Sequence, residues 1–192
     1  MAIKIGAKSY PDEVWDIMKN KEMAPLFHKH CVAGGSPENT AFLMALISGK
    51  KTAILYNAFI KEGSQFYLNL SGNLRKYMIH MGGVSDWDHA GWKKALPQAR
   101  NEVVRLVDSN FLETFFRSEI FRKFVFSKSG KPEKAAKLLG IRDHKTLGDI
   151  IIAQVLGKTA DAKKKMDALA KKEKLKDKSE ALLKVLVGGG WA

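Results

Sequence analysis

The chain has a single cysteine, Cys31, in 192 residues. That excludes an internal disulfide framework and a four-cysteine zinc site. Long apolar runs are also missing. The longest spans 150–155 and contains Gln154, far short of the roughly 20 residues a membrane-spanning helix needs. The opening MAIKIGAKSYPDE has no apolar run of about 7–15 residues, so no secretory leader is expected. No G-x-x-x-x-G-K-S/T, G-x-G-x-x-G or G-x-S-x-G occurs, which removes the usual phosphate cradles and the nucleophile elbow. Arginine is scarce at six of 33 basic residues, and arginine is the preferred forked reader of phosphates and guanine edges. These absences predict a soluble, cytoplasmic protein with no catalytic constellation or cofactor of its own.

What is abundant is lysine. The formal charge is +13, a balance that favours anionic partners. Residues 127–192 hold 16 basic and 8 acidic residues, hence +8, against +5 for residues 1–126. Phenylalanine is the other excess. Six of the ten lie between 111 and 126, which predicts a dense helical core there.

The periodicity reads as all helical. Tyr10-Pro11-Asp12-Glu13 has a proline and acids suited to a first helical turn. Met23, Leu26, Phe27 and Cys31 mark a second helix that stops at Gly34-Gly35. Ser36-Pro37-Glu38-Asn39 opens a third, with Phe42, Leu43, Leu46 and Ile47 on its stripe and Gly49 at its end. Ile54, Leu55, Phe59 and Ile60 form another, closed by Gly63. Phe66–Leu70 is the one strand-like run, followed by Ser71 as an N-cap. Gly82-Gly83 predicts a break, and Ser85-Asp86-Trp87-Asp88 a short helix through Trp92. Between Pro97 and Val107, Ala99, Val103 and Leu106 give the clearest amphipathic face, interrupted at Ser109-Asn110. From Ser127 to Lys131 aromatics give way to Ser, Gly, Lys and Pro, which predicts domains over 10–126 and 127–192. Within the second, helices are expected over 135–139, 147–156, 160–174 and 179–187.

Two clusters invite a metal reading. His28 and His30 would point about 200° apart on a helix, and Cys31 fits as small core filler. Around Gly82-Gly83, caps and turns account for Asp86 and Asp88. No metal is expected at either. Ala135–Ile141 followed by Thr146-Leu147 resembles a helix-turn-helix, with Ala136 and Gly140 at the motif's spacing. It departs in a turn one residue too long and in Gly148 inside the would-be recognition helix. Lys163–Lys178 is a basic segment with a ragged apolar stripe, suited to an acidic protein face, anionic lipid or nucleic acid.

Three stretches in order carry a family likeness. The first is Ser36-Pro37-Glu38-Asn39 leading to Phe42. The second is Leu55-Tyr56-Asn57-Ala58-Phe59-Ile60, then Leu68-Asn69-Leu70 and Arg75. The third is Leu96-Pro97-Gln98-Ala99, Leu106 and Phe115-Phe116-Arg117-Ser118. From about Tyr10 to Phe126 this series resembles a regulator of G-protein signalling (RGS) domain. The resemblance implies an all-α bundle of about nine helices, here followed by a basic helical extension. It implies GTPase activation on a G-protein α subunit, in which the RGS surface supplies no catalytic group and works by binding the transition-state arrangement of the switch segments. Carried over by position, Ser36, Glu38 and Asn39 lie in the first contact loop. Asn69 is the amide nearest the partner's catalytic glutamine. Leu106 and Asn110 belong to the third contact patch. The chain departs from the family at Asn110 and Thr114, where Asp and Arg are usual, at Phe42-Leu43 in place of Phe-Trp, and at Phe111. A scaffold with this fold but without activation of GTP hydrolysis, docking through its basic tail, is the second expectation.

Overall fold

The computed structural model describes residues 2–5, 8–84 and 86–173. Ser85, the basic segment beyond residue 173, the helix expected over 179–187 and Trp191 lie outside the described residues. The described chain is predominantly helical with one two-stranded sheet. Its contacts divide it into two units, residues 13–115 and residues 1–12 with 116–192. The division expected at Phe126 falls inside a continuous helix, Glu119–Ser129. The drop in aromatic content there marks no break, because Phe121, Phe124 and Val125 are core residues of that helix.

In the 13–115 unit, α1 (Val14–Lys19) begins after Glu13, and α2 (Ala24–Ala33) ends at Gly34. Next come α3 (Pro37–Ile47) and the single turn α4 (Thr52–Leu55). A π-helical turn, Tyr56–Ile60, continues α4. Then come α5 (Gly72–Val84), α6 (Ala90–Val107) and a second π-turn, Asp108–Leu112. α1 and α6 both pack on α3, and α5 packs on α6. Ile17, Met23, Phe27, Cys31, Phe42, Leu43, Val103, Val107 and Phe115 are fully buried. Phe27 meets Phe115 edge to face, with centroids 4.9 Å apart, a preferred aromatic geometry.

Three expectations about this unit are corrected. Phe66–Leu70 is not a strand. It is a turn at Phe66 followed by irregular chain, whose Phe66 and Leu68 amides donate to Ala58 and Phe59 carbonyls at 3.3 and 2.9 Å, and among the described residues it pairs with no strand. Gly82-Gly83 does not break the chain but lies inside α5. Gly82 is there for contact: a Cβ would stand 2.2 Å from the Tyr56 ring. Pro97 lies inside α6 rather than at its start. The helix continues through it because Trp92 and Ala95 before it and Ala99 and Val103 after it are all buried. That burial outweighs one lost backbone bond.

The other unit contains what the periodicity missed. β1 (Ala2–Ile5) and β2 (Lys8–Pro11) pair antiparallel, with Ile3 opposite Tyr10. Ile3, Ile5 and Tyr10 are buried, and Tyr10 meets Phe124 edge to face at 5.1 Å. Tyr10-Pro11 therefore ends a strand instead of opening a helix. After α7 (Glu113–Arg117), whose last two residues belong here, come α8 (Glu119–Ser129), α9 (Pro132–Leu139), α10 (His144–Val155) and α11 (Thr159–Lys172). β1 packs on α8 and α10, and α10 packs on α9 and α11. The helix-turn-helix likeness has a packing explanation. α10 buries Leu147, Ile150, Ile151, Ile152 and Ala153, so its apolar residues serve the packing of the unit. Among the described residues no helix is long and apolar enough to cross a membrane.

Candidate functional site

The π-turn 108–112 links the sequence stretches singled out above. On one side of that linkage is the α2–α3 connection. Gly34 lies so near Phe111 that a Cβ there would stand 2.5 Å from its Cε1. His30, one turn earlier on α2, presents its ring to Phe111 and Phe115 with centroids 6.4 and 5.7 Å away. The Thr114 hydroxyl donates to the Phe111 carbonyl at 3.0 Å. Its one hydrogen is thereby used, so His30 Nε2 donates to Thr114 Oγ1 at 3.0 Å. Burial holds the His30 pKa below its usual value, which favours the neutral ring. His30 and Thr114 thus brace the end of the π-turn.

The other linkage is a cleft of about 540 Å³ shared by residues 69–71 and by Glu102, Arg105, Leu106 and Ser109. The Ser71 amide and hydroxyl donate to the two Glu102 carboxylate oxygens at 2.8 and 2.7 Å. This clamps the segment before α5 onto α6. Asn69 is exposed. Its Oδ1 accepts from Arg75 Nη2 at 3.2 Å, and the same nitrogen donates to the Leu70 carbonyl at 3.0 Å. The Arg75 guanidinium rests over Tyr67, 5.2 Å from the ring centre. Arg75 so fixes the Asn69 amide through its oxygen and leaves Nδ2 without a partner among the described residues. Arg105 is exposed and pairs with no carboxylate among the described residues.

The six candidate contact residues are therefore not equivalent. Asn69 and Leu106 line one cleft, and Ser109 of that cleft directly precedes the exposed Asn110. Ser36 follows the glycines at Phe111. Its amide donates to the Cys31 carbonyl at 3.0 Å, and it is half-buried. Glu38 is half-buried as well. Asn39 is only 8% exposed, and its Nδ2 donates to Glu38 Oε1 at 3.0 Å. Asn39 orients a carboxylate instead of presenting an amide outward.

The metal-like clusters disperse. His28 Nδ1 and Thr40 Oγ1 share a 2.7 Å hydrogen bond. Burial, reinforced by the Glu38 carboxylate, pushes the Cys31 thiol up to about 12, so the thiol is inert. His89 caps α6, its Nδ1 accepting from the Gly91 amide at 3.0 Å. Among the described residues no group of three or more His, Cys, Asp or Glu is placed to hold a metal.

Sequence reading missed the Ser71–Glu102 clamp and the His30–Thr114 brace. Their partners lie 31 and 84 residues apart, and no local pattern announces such pairs. Comparison with family models, with curated proteins and with solved structures finds no match to this chain.

Proposed function

We propose that the residues gathered around the π-turn 108–112 form a docking face for a nucleotide-switch protein. On this reading the chain is an RGS-like module that accelerates GTP hydrolysis by a G-protein α subunit. One observation carries it: Asn69, exposed and held by Arg75 with its Nδ2 unengaged among the described residues, lines the same cleft as Leu106 and Ser109. A fixed amide that still has donors to offer suits recognition of a glutamine or a switch backbone.

The mechanism needs no catalytic group from this chain. The α subunit supplies its own arginine and water-orienting glutamine. A pre-organised amide at Asn69, an exposed amide at Asn110 and a carboxylate at Glu38 hold the switch segments more tightly in the transition state than in the ground state. Each tenfold acceleration asks for about 1.4 kcal/mol of such differential binding. Ser36 fixes the loop, Asn39 aims Glu38, and Leu106 supplies apolar contact.

Single-turnover GTP hydrolysis by α subunits, with and without the protein, tests the reading. Acceleration that falls at least tenfold in Asn69→Ala supports it. No acceleration by the unaltered protein removes the activator role. The burial of Asn39 favours a second reading, a scaffold that binds the switch protein without accelerating hydrolysis. The two separate by affinity. An activator binds the GDP–aluminium fluoride state more tightly than the GTP state, whereas a scaffold binds both alike.

A further inference from the structure

The unit formed by residues 1–12 and 116–192 has its own cleft, of about 370 Å³. We propose that this cleft is a binding site for a phosphate-bearing head group of the inositol-phosphate class. Its volume falls within the roughly 300–1,000 Å³ of small-molecule sites.

The floor is apolar and comes from the end of α10: Ile152, Ala153 and Leu156. Four cations line the walls, Arg117, Arg122, Lys158 and Lys165, against two carboxylates, Asp149 and Asp161. The lining is therefore +2. Both carboxylates are already engaged, Asp149 by Arg122 and Asp161 by Lys165 at 3.0 Å. Lys158 is exposed and pairs with no carboxylate among the described residues. Lys158 thus brings to the cleft a charge that the lining's own carboxylates do not take up.

Arg122 is seated by design of the helix opposite. Its guanidinium lies over the Phe126 ring, 5.7 Å from the centroid. At Gly148 on α10 a Cβ would stand 2.9 Å from Arg122 Nη2 and 3.3 Å from Phe126. Glycine inside a helix weakens it, and here its missing side chain makes room for the arginine that neutralises Asp149.

A ligand that fits has several negative charges spaced around a neutral carbon frame. Phosphates meet the cationic walls as charge-assisted acceptors, and the frame covers the apolar floor. A nucleic-acid strand asks instead for an extended track of cations with aromatic platforms, which a cleft of this size does not offer.

The full-length chain is titrated with inositol trisphosphate by calorimetry. In parallel it is sedimented with phosphatidylcholine vesicles with and without phosphatidylinositol bisphosphate. Lys158→Glu is expected to weaken binding on the order of tenfold, about 1.4 kcal/mol. Asp161→Asn is expected to tighten it. Lys134→Glu, an equal charge change at an exposed residue outside the cleft lining, is expected to leave it within about twofold. Binding of both probes supports a lipid head group as the source. Binding of the soluble probe alone supports a free phosphate ligand in the same cleft. Equal losses in Lys158→Glu and Lys134→Glu, tighter binding to duplex DNA than to either probe, or no binding at all overturns the proposal.

Discussion

The two units differ most in where they keep their charge. Residues 13–115 hold 12 basic and 10 acidic residues, hence +2. Residues 1–12 with 116–192 hold 21 and 10, hence +11. The near-neutral unit holds the exposed amides and the π-turn. The cationic unit holds the cleft lined by four basic side chains. Composition alone put the excess in the last third, but the contacts sharpen this. Most of the chain's net charge belongs to one body, and the six candidate contact residues belong to the other. Neutral amides select a partner by geometry, and charge attracts it at a distance. The two tasks are thus separable by mutation, and salt is expected to act mainly on the second.

The largest expected effect breaks the near-neutral unit itself. Phe27 is fully buried. Phe27→Ala removes its ring from Phe115 and leaves a cavity, at a cost of about 3–5 kcal/mol. Urea denaturation followed by hydrogen exchange checks it, with protection lost first in residues 13–115. A second break is an added atom. Gly82→Ala raises helix propensity by up to about 1 kcal/mol, yet places a Cβ 2.2 Å from the Tyr56 ring. Overpacking of this kind costs about 1–3 kcal/mol, so net destabilisation is expected. Restoring the space in a Gly82→Ala, Tyr56→Ala double variant is expected to leave a loss smaller than the sum of the two single losses.

A third prediction sharpens the comparison at the docking face. Glu102→Ala removes both acceptors of Ser71. On an exposed surface this costs about 1 kcal/mol of stability. Its effect on partner binding is expected to match that of Asn69→Ala, because residues 69–71 lose their hold on α6. Thermal melts and binding titrations together separate the two effects.

Legibility followed the length scale of the interactions. The ends of α2, α3 and the turn after Ile60 were readable, since Gly34-Gly35, Gly49 and Gly63 act locally. Strands β1 and β2 were missed although Ile3-Lys4-Ile5 alternates with period two. Four residues per strand give too short a pattern to outweigh the helical periods around them. Phe66–Leu70 misled for the opposite reason: its apolar run is β-like, but a ladder needs a second strand. The π-turns were invisible because a 3.6-residue period does not foresee an inserted residue. Ser109-Asn110 was still legible as an interruption. Of the candidate contact residues, the pattern named Asn69, Leu106 and Asn110 without their supports. Arg75, six residues from Asn69, was in the series but without its role, whereas Glu102 and His30 act over 31 and 84 residues, and Asn39 is buried with its Nδ2 on Glu38.

The smallest expected effect tests the cationic unit with pH. Asp143 caps α10, accepting from the Thr146 amide and hydroxyl at 3.0 and 2.9 Å and from Lys172 Nζ at 2.8 Å. The Lys172 hydrogen bond first, then those from Thr146, hold its carboxyl well below the usual aspartate range. The same pair holds Lys172 above its ordinary value. A depressed carboxylate stabilises the fold above its unfolded pKa, near 3.9. That contribution is lost as pH falls below this value toward the folded one. Asn is about as good an N-cap as Asp, so Asp143→Asn is expected to change the melting temperature little at neutral pH while flattening its fall under acid. Lys172→Met does the same from the other end of the pair. If Asp143→Asn and Lys172→Met both leave that limb unchanged, the acid sensitivity does not reside in this cap of the cationic unit, and the contrast between the two bodies fails at this point.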